Sequence, residues 1–336
     1  ENVVVFGREG NKGKSDAALL RTLTSGEASS KLESKGFQLM DGINYYAYIP
    51  AAKFDITTDF RYIPLTFEGQ WQDVKNSTAT LKYYDYACAK ATKASGANSL
   101  EFNLKNQVGW IVVEHLFTEE TKGVTSLTLS TTDPLFTSSC TLDATNSTIG
   151  GNKYSTSLTL TLGTANGAGF DFDKGEYSRA FFTTAPVDLS GKELTITAHK
   201  SDGTSIVLLQ KTLGDCNIQK NSTVIIKTES AKTFKSVASI NGRQFGSIEE
   251  AIAAAINTGK KSTITLESEV KGPLTITNTL PRHAELILDL NGHSITSENE
   301  GECAVIVKQG EVRLKNGTID SKKFVGVKLD SHAKGA

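Results

Sequence analysis

An all-β, multi-domain fold is predicted by three features: runs of alternating apolar and polar residues, glycine- and asparagine-rich turns between them, and a length of 336 residues, too great for one sandwich. The alternation is clearest at residues 99–104 (SLEFNL), 126–129 (SLTL), 157–162 (SLTLTL) and 193–197 (ELTIT). A period of two puts one face of each strand in a core and the other in water, the behaviour of antiparallel sheets. Turn signals stand at Gly150-Gly151, Asn166-Gly167, Gly191 and Asp202-Gly203. Short strands at such spacing predict sandwiches rather than βαβ units.

Composition narrows the function classes. Hydrophobic residues make up 38% and charged residues 22%, with 36 basic against 37 acidic side chains and a net charge of −1. That balance argues against a nucleic-acid partner or an anionic membrane surface. No stretch approaches the ~20 apolar residues of a membrane span. The chain opens at Glu1 and its single methionine is Met40, so a processed or truncated mature end is expected. Cys88, Cys140, Cys216 and Cys303 lie far apart without a CxxC pair. That spacing argues against zinc and leaves buried thiols, with one disulfide as the alternative.

Linker-like composition at 146–152 (NSTIGGN) and 229–235 divides the chain into expected domains 1–150, 151–235 and 236–336. The third segment has a different rhythm. Ser247 precedes Glu250 at capping-box spacing, Ile248, Ile252, Ala255 and Ile256 share one helical face, and Gly259 supplies a stop. Asn291-Gly292 and Asn316-Gly317 then recur about 25 residues apart, each followed closely by Ile295 or Ile319, and Leu266 and Leu288 repeat at a similar interval. This predicts a helix capping a short stack of β-coils, a right-handed parallel β-helix segment. Ile264 and Leu266, then Leu286, Leu288 and Leu290, then Val312 and Leu314 should form its inner layers. The last strand, near Val325, Val327 and Leu329, should have an open edge, so the chain is expected to be cut short there.

Several motifs invite a chemical reading and lose to a structural one. Residues 7–15 (GREGNKGKS) mimic a phosphate loop, but Arg8 stands where the loop requires glycine. Asp171, Asp173, Gly175 and Glu176 resemble part of a calcium loop without its third spaced carboxylate. His115, His199, His283, His293 and His332 are scattered and pair with no nucleophile elbow. On stacked coils, Asp289, His293, Arg313 and Lys315 could form a polysaccharide-cleaving face. Asp289 and Arg313 nevertheless alternate with Leu288, Leu290, Val312 and Leu314 as any solvated strand face does. No catalytic, cofactor-binding or metal site is expected.

Four segments in order resemble the fimbrillin-like family: residues 36–50 (GFQLMDGINYYAYIP), 84–89 (YDYACA), 103–110 (NLKNQVGW) with 124–129 (VTSLTL), and 180–196 (AFFTTAPVDLSGKELTI) with Asp202-Gly203. The resemblance covers residues 1–230 and implies two transthyretin-like sandwiches, export as a lipoprotein, and a place in pili or on the outer surface. The family's lipid-bearing cysteine is not in this chain, and residues 240–336 depart from the pattern. The resulting expectation is a non-enzymatic, extracellular fimbrillin-like adhesin whose partner is a surface protein or glycan, or other pilus subunits. A pilus subunit polymerising by strand exchange is one alternative; a fragment of a β-helical polysaccharide lyase or glycan hydrolase is the other.

Overall fold

The computed structural model describes residues 2–8, 17–22, 32–33, 39–50, 61–163, 169–228, 232–280, 285–322 and 324–335. The phosphate-loop mimic, the Asn166-Gly167 turn, His283 and the start of the 36–50 segment fall wholly or mainly outside them. The fold is all-β, with one α-helix among the described residues.

The N-terminal body is built from antiparallel ladders. Its first sheet runs Leu32–Glu33, Ala17–Thr22, Asn2–Arg8, Asn44–Ile49, Ala87–Thr92, Lys105–Asn106. Val4, Phe6, Tyr46 and Tyr48 point into the main core, and Val3, Val5, Tyr45 and Ala47 into a smaller one on the opposite face. Residues 99–104 cover that second face. Leu100, Phe102 and Leu104 pack there at the predicted alternation, but the segment is in no ladder, so it is extended coil rather than the expected strand. Period two reports which side chains face inward, not whether the backbone finds a partner.

A second sheet follows the order Lys232–Lys235, Thr204–Thr212, Glu193–Lys200, Thr121–Thr131, Ser157–Leu162, Gln70–Gln72. Thr121–Thr131, which precedes the division expected at residue 150, therefore pairs along both edges with strands that follow it, Ser157–Leu162 and Glu193–Lys200. That residue itself lies inside Thr148–Ser155, an edge strand paired with Phe136–Asp143. The cut at 150 is thus corrected. A solvated edge strand and a linker share the same polar, glycine-rich composition, and here Gly150-Gly151 marks an irregularity in the ladder instead of a turn. One continuous core of buried side chains runs from Val4 to Ile226.

The chain leaves the body's sheet at Lys235 and enters a C-terminal one at Ala238. Helix α1, Ile248–Asn257, begins where the Ser247 hydroxyl accepts the Glu250 N–H at 3.1 Å. It ends where Gly259, at φ +66, donates its N–H to the Ile256 carbonyl. Ile248, Ala251, Ile252 and Ala255 are buried over the strand that carries Ile264 and Leu266, in one core with Leu288.

Behind the helix the pairing is parallel. Ser262–Leu266, Leu286–Asp289 and the second half of Val305–Lys315 form one ladder, with Ile264 beside Leu288 and Leu288 beside Leu314. Val270–Lys271, Ser294–Ser297 and Thr318–Ser321 form a second, with Ile295 beside Ile319. Leu274–Thr277, the first half of Val305–Lys315 and Val327–Gly335 form a third. The repeat seen between Leu266 and Leu288 is out of register: Leu288 stacks on Ile264, two residues away, which leaves the same face inward. Gly310 lets one strand serve two ladders, since a Cβ there would sit 2.2 Å from the Asn278 carbonyl oxygen. Leu329 on the last strand is exposed and Val327 is half-buried, while Val325, also exposed, lies just before that strand.

Candidate functional site

The coil face holds the residues with most chemical promise, and register decides what they do. Parallel pairing sets Asp289 beside Lys315, with a 2.8 Å ion pair. Asp289 also accepts hydrogen bonds from the Asn291 N–H and from Asn316 Nδ2, both at 3.1 Å. The hydrogen bond from Lys315, with those from Asn291 and Asn316, holds the Asp289 carboxyl below the usual carboxylate range. Nearby, Glu285 lies 2.9 Å from Lys261 and 3.7 Å from Arg313, and Lys261 chiefly lowers its pKa. A base that abstracts a sugar proton needs a free lone pair and a pKa near the working pH. Asp289 has partners on both oxygens and a lowered pKa; it and Arg313 staple adjacent coils. His293 contributes backbone bonds to Leu290 and Thr318 at the Asn-Gly turn.

The calcium-like hairpin is likewise consumed by structure. Asp171 accepts the Gly123 N–H at 2.7 Å, while Glu176 accepts the Asp173 N–H at 2.9 Å and pairs with Lys75 at 3.0 Å. His115 is buried, its Nδ1 2.6 Å from the Thr228 hydroxyl and its ring edge-on to Phe117. His199 bridges Ser205 and Thr128 at 3.1 Å each. Burial lowers both imidazoles to about 4. All four cysteines are free and buried, and burial raises the Cys140 thiol to about 11.

The arrangement that sequence reasoning missed lies where the two parts meet. Ala238–Ile240 and Arg243–Phe245 form a hairpin whose two-residue turn is Asn241-Gly242, at φ 49 and 83. Its tip lies against the body: the Thr156 hydroxyl donates to the Asn241 carbonyl at 3.2 Å, and a Cβ at Gly242 would come 3.0 Å from Ser157 Oγ. Arg243–Phe245 packs on Thr121–Thr131 and Glu193–Lys200. Thr128, Ser130, Thr195 and Thr197 of those strands, read in the sequence as a solvated face, are buried. Arg243 pairs with Glu193 at 3.0 Å, and Lys260 with Asp133 at 3.3 Å. Around these contacts runs a groove of about 1460 Å³ between helix α1 and the body. An Asn-Gly dipeptide between short alternating runs is a strong hairpin signal. What it docks on is not written locally.

No family model matches the chain, and no curated protein matches it. Among solved structures it is similar to a candidate cell adhesion protein of Bacteroides ovatus, with TM-score 0.44 and 13% identity over 70% of this chain and 85% of that one. A candidate cell adhesion protein of Bacteroides uniformis gives 0.44 and 11% over 70% and 91%. A fimbrial protein of Bacteroides ovatus gives 0.31 and 14% over 68% and 44%.

Proposed function

We propose that the chain is a cell-surface, fimbrillin-like adhesin with a structural and binding role. Its body, residues 1–235, carries two transthyretin-like sandwiches that share the central sheet. Residues 236–336 form a helix-capped, right-handed parallel β-helix segment that displays a face outward, on a protein exported as a lipoprotein. The observation that carries this reading is the fate of the chemical groups. Asp289, Arg313 and Lys315 of the coil face and Asp171 and Glu176 of the hairpin are committed to ion pairs and backbone bonds. A groove lined by hydroxyl, amide, charged and apolar side chains runs between the two β bodies. Fluorescently labelled full chain should bind intact cells saturably and leave uronic-acid polymers uncut. Release of unsaturated oligosaccharides from such polymers, without cell binding, would replace this reading with the lyase.

One observation favours polymerisation as a second reading. Thr223–Thr228 lies at the end of the sheet Tyr177–Thr184, Gly109–Leu116, Thr223–Thr228, and Ile225 on it is exposed. Ladders of the purified protein on a denaturing gel would support strand exchange between copies; a monodisperse monomer that stays so after limited proteolysis would exclude it.

A further inference from the structure

We infer that the groove between helix α1 and the body is a binding site for a neutral oligosaccharide. The inference rests on the adhesin reading and names its ligand class. The first argument is the chemistry of the walls. Thr132, Ser155 and Gln210 from the body face Asn241, Gln244 and Asn257 from the hairpin and helix. Hydroxyls and amides can both donate and accept, which suits the alternating hydroxyls of a sugar. A peptide would instead need a desolvated apolar pocket to seat an anchor side chain. Of the two aromatics in the lining, Phe245 is already buried in the module's own core, and Tyr154 is 57% exposed rather than sunk into a pocket. A phenol ring offers an apolar face and a polar tip. Such a ring can stack on the C–H face of a pyranose while its hydroxyl, which accepts a 3.1 Å bond from Asn152 Nδ2, is held in place.

Size and charge refine the ligand. Pockets for drug-sized molecules run to roughly 1,000 Å³, so a groove of about 1460 Å³ suits several sugar units better than one. The basic side chains of the lining are engaged: Arg243 with Glu193, Lys260 with Asp133, and Lys261 with Glu285. Glu68 and Glu250 also line the groove, and neither carboxylate has an ion-pair partner among the described residues. A sialylated or sulfated glycan would meet that uncompensated negative charge with no free cation to answer it.

The test uses the full chain and neutral hexose and N-acetylhexosamine oligomers, alongside their sialylated and sulfated counterparts, in calorimetric titration. The expected result is saturable binding of at least one neutral oligomer and at least about tenfold weaker binding of its acidic counterpart. Tyr154→Ala and Gln210→Ala should each weaken the neutral ligand by about tenfold. The double variant E68K/E250K should erase or invert the discrimination against acidic glycans. Neutral binding unaffected by Tyr154→Ala and Gln210→Ala would overturn the site while leaving the adhesin reading intact. Preference of the unaltered chain for acidic glycans would overturn the proposed selectivity. Cell binding without affinity for any oligomer of the panel would overturn the ligand class and again spare the adhesin reading. Failure of both cell and glycan binding would remove both.

Discussion

The body and the C-terminal module bury their apolar side chains by different rules. In the body, one core collects residues from Val4 to Ile226, so strands far apart in the chain must be in place together. In the module, each strand pairs with the strand one coil away, as Ile264 does with Leu288 and Leu288 with Leu314. The body should therefore unfold as a unit, and the module by layers, with the helix holding the first layer. Their interface is polar on the body's side, where Thr128, Ser130, Thr195 and Thr197 lie. A face of that kind can return to water at modest cost, which makes the two parts separable.

The sharpest way to break this comparison is a charge in the cap. Ile252 is buried on the inner face of helix α1. Ile252→Asp should cost several kcal/mol, combining a lost apolar group with an unpaired buried carboxylate, and should melt the module while residues 1–235 keep their transition. Calorimetry should resolve two transitions with only one shifted. A single transition shifted as a whole would mean the parts are one cooperative unit. Consistently, a 1–235 truncation should remain soluble with a cooperative melt; its aggregation would show that the threonine-rich face needs its cover.

Inside the module, Leu288 is buried between two layers. Leu288→Ala should cost about 2–5 kcal/mol by leaving a cavity. Hydrogen exchange should accelerate in Ser262–Leu266 and Val305–Lys315 and stay unchanged in Glu193–Lys200. Acceleration throughout the chain would erase the distinction between layered and unitary stability.

Acid should separate the two parts by pH. His115 and His199 both belong to the body, and burial lowers each to about 4 from an ordinary 6.5. The unfolded chain then binds protons that the folded one refuses. Their contribution to stability is full above about pH 6.5 and is lost as pH falls toward 4, by up to about 2–3 kcal/mol each. The module's carboxylates at Glu285 and Asp289 are held low by Lys261 and Lys315, so their contribution is present above the ordinary carboxylate range and fades only below it. Melts recorded between pH 7 and 4.5 should lower the body's transition and leave the module's nearly fixed. The opposite order would contradict the burial of the two imidazoles. His115→Gln should remove part of the body's acid sensitivity.

What was legible in the sequence follows from the range of the forces involved. The helix is written locally, in Ser247, its apolar face and Gly259, and its boundaries follow from them. The coil register is nearly local, because Asn291-Gly292 and Asn316-Gly317 repeat along the chain, and Gly317 is required where a Cβ would strike Leu290 at 2.2 Å. The strand at 157–162 alternates as read, with Leu158, Leu160 and Leu162 buried. Three readings failed for want of partners: 99–104 alternates without a ladder, 146–152 runs from a turn into an edge strand with a linker's composition, and 193–197 buries its threonines under a hairpin from another part of the chain. The groove belongs to the same class. Its walls come from segments that composition and periodicity describe separately, and nothing in either segment announces the other.

The smallest expected effect tests the coil face. Lys315 and Asp289 are partly exposed and lie on adjacent parallel strands. An exposed pair of this kind contributes roughly 0–1 kcal/mol, because water screens the attraction and two long side chains lose freedom. Asp289 keeps its bonds from the Asn291 N–H and Asn316 Nδ2 when the lysine is removed, so the turn at Asn291-Gly292 should persist. Lys315→Ala should therefore shift the module's melting temperature slightly, lift the Asp289 pKa toward its ordinary value, and leave both cell binding and glycan affinity unchanged. Loss of ligand binding in this variant would relocate the binding face from the groove to the coils, and with it the division of labour between the two parts of the molecule.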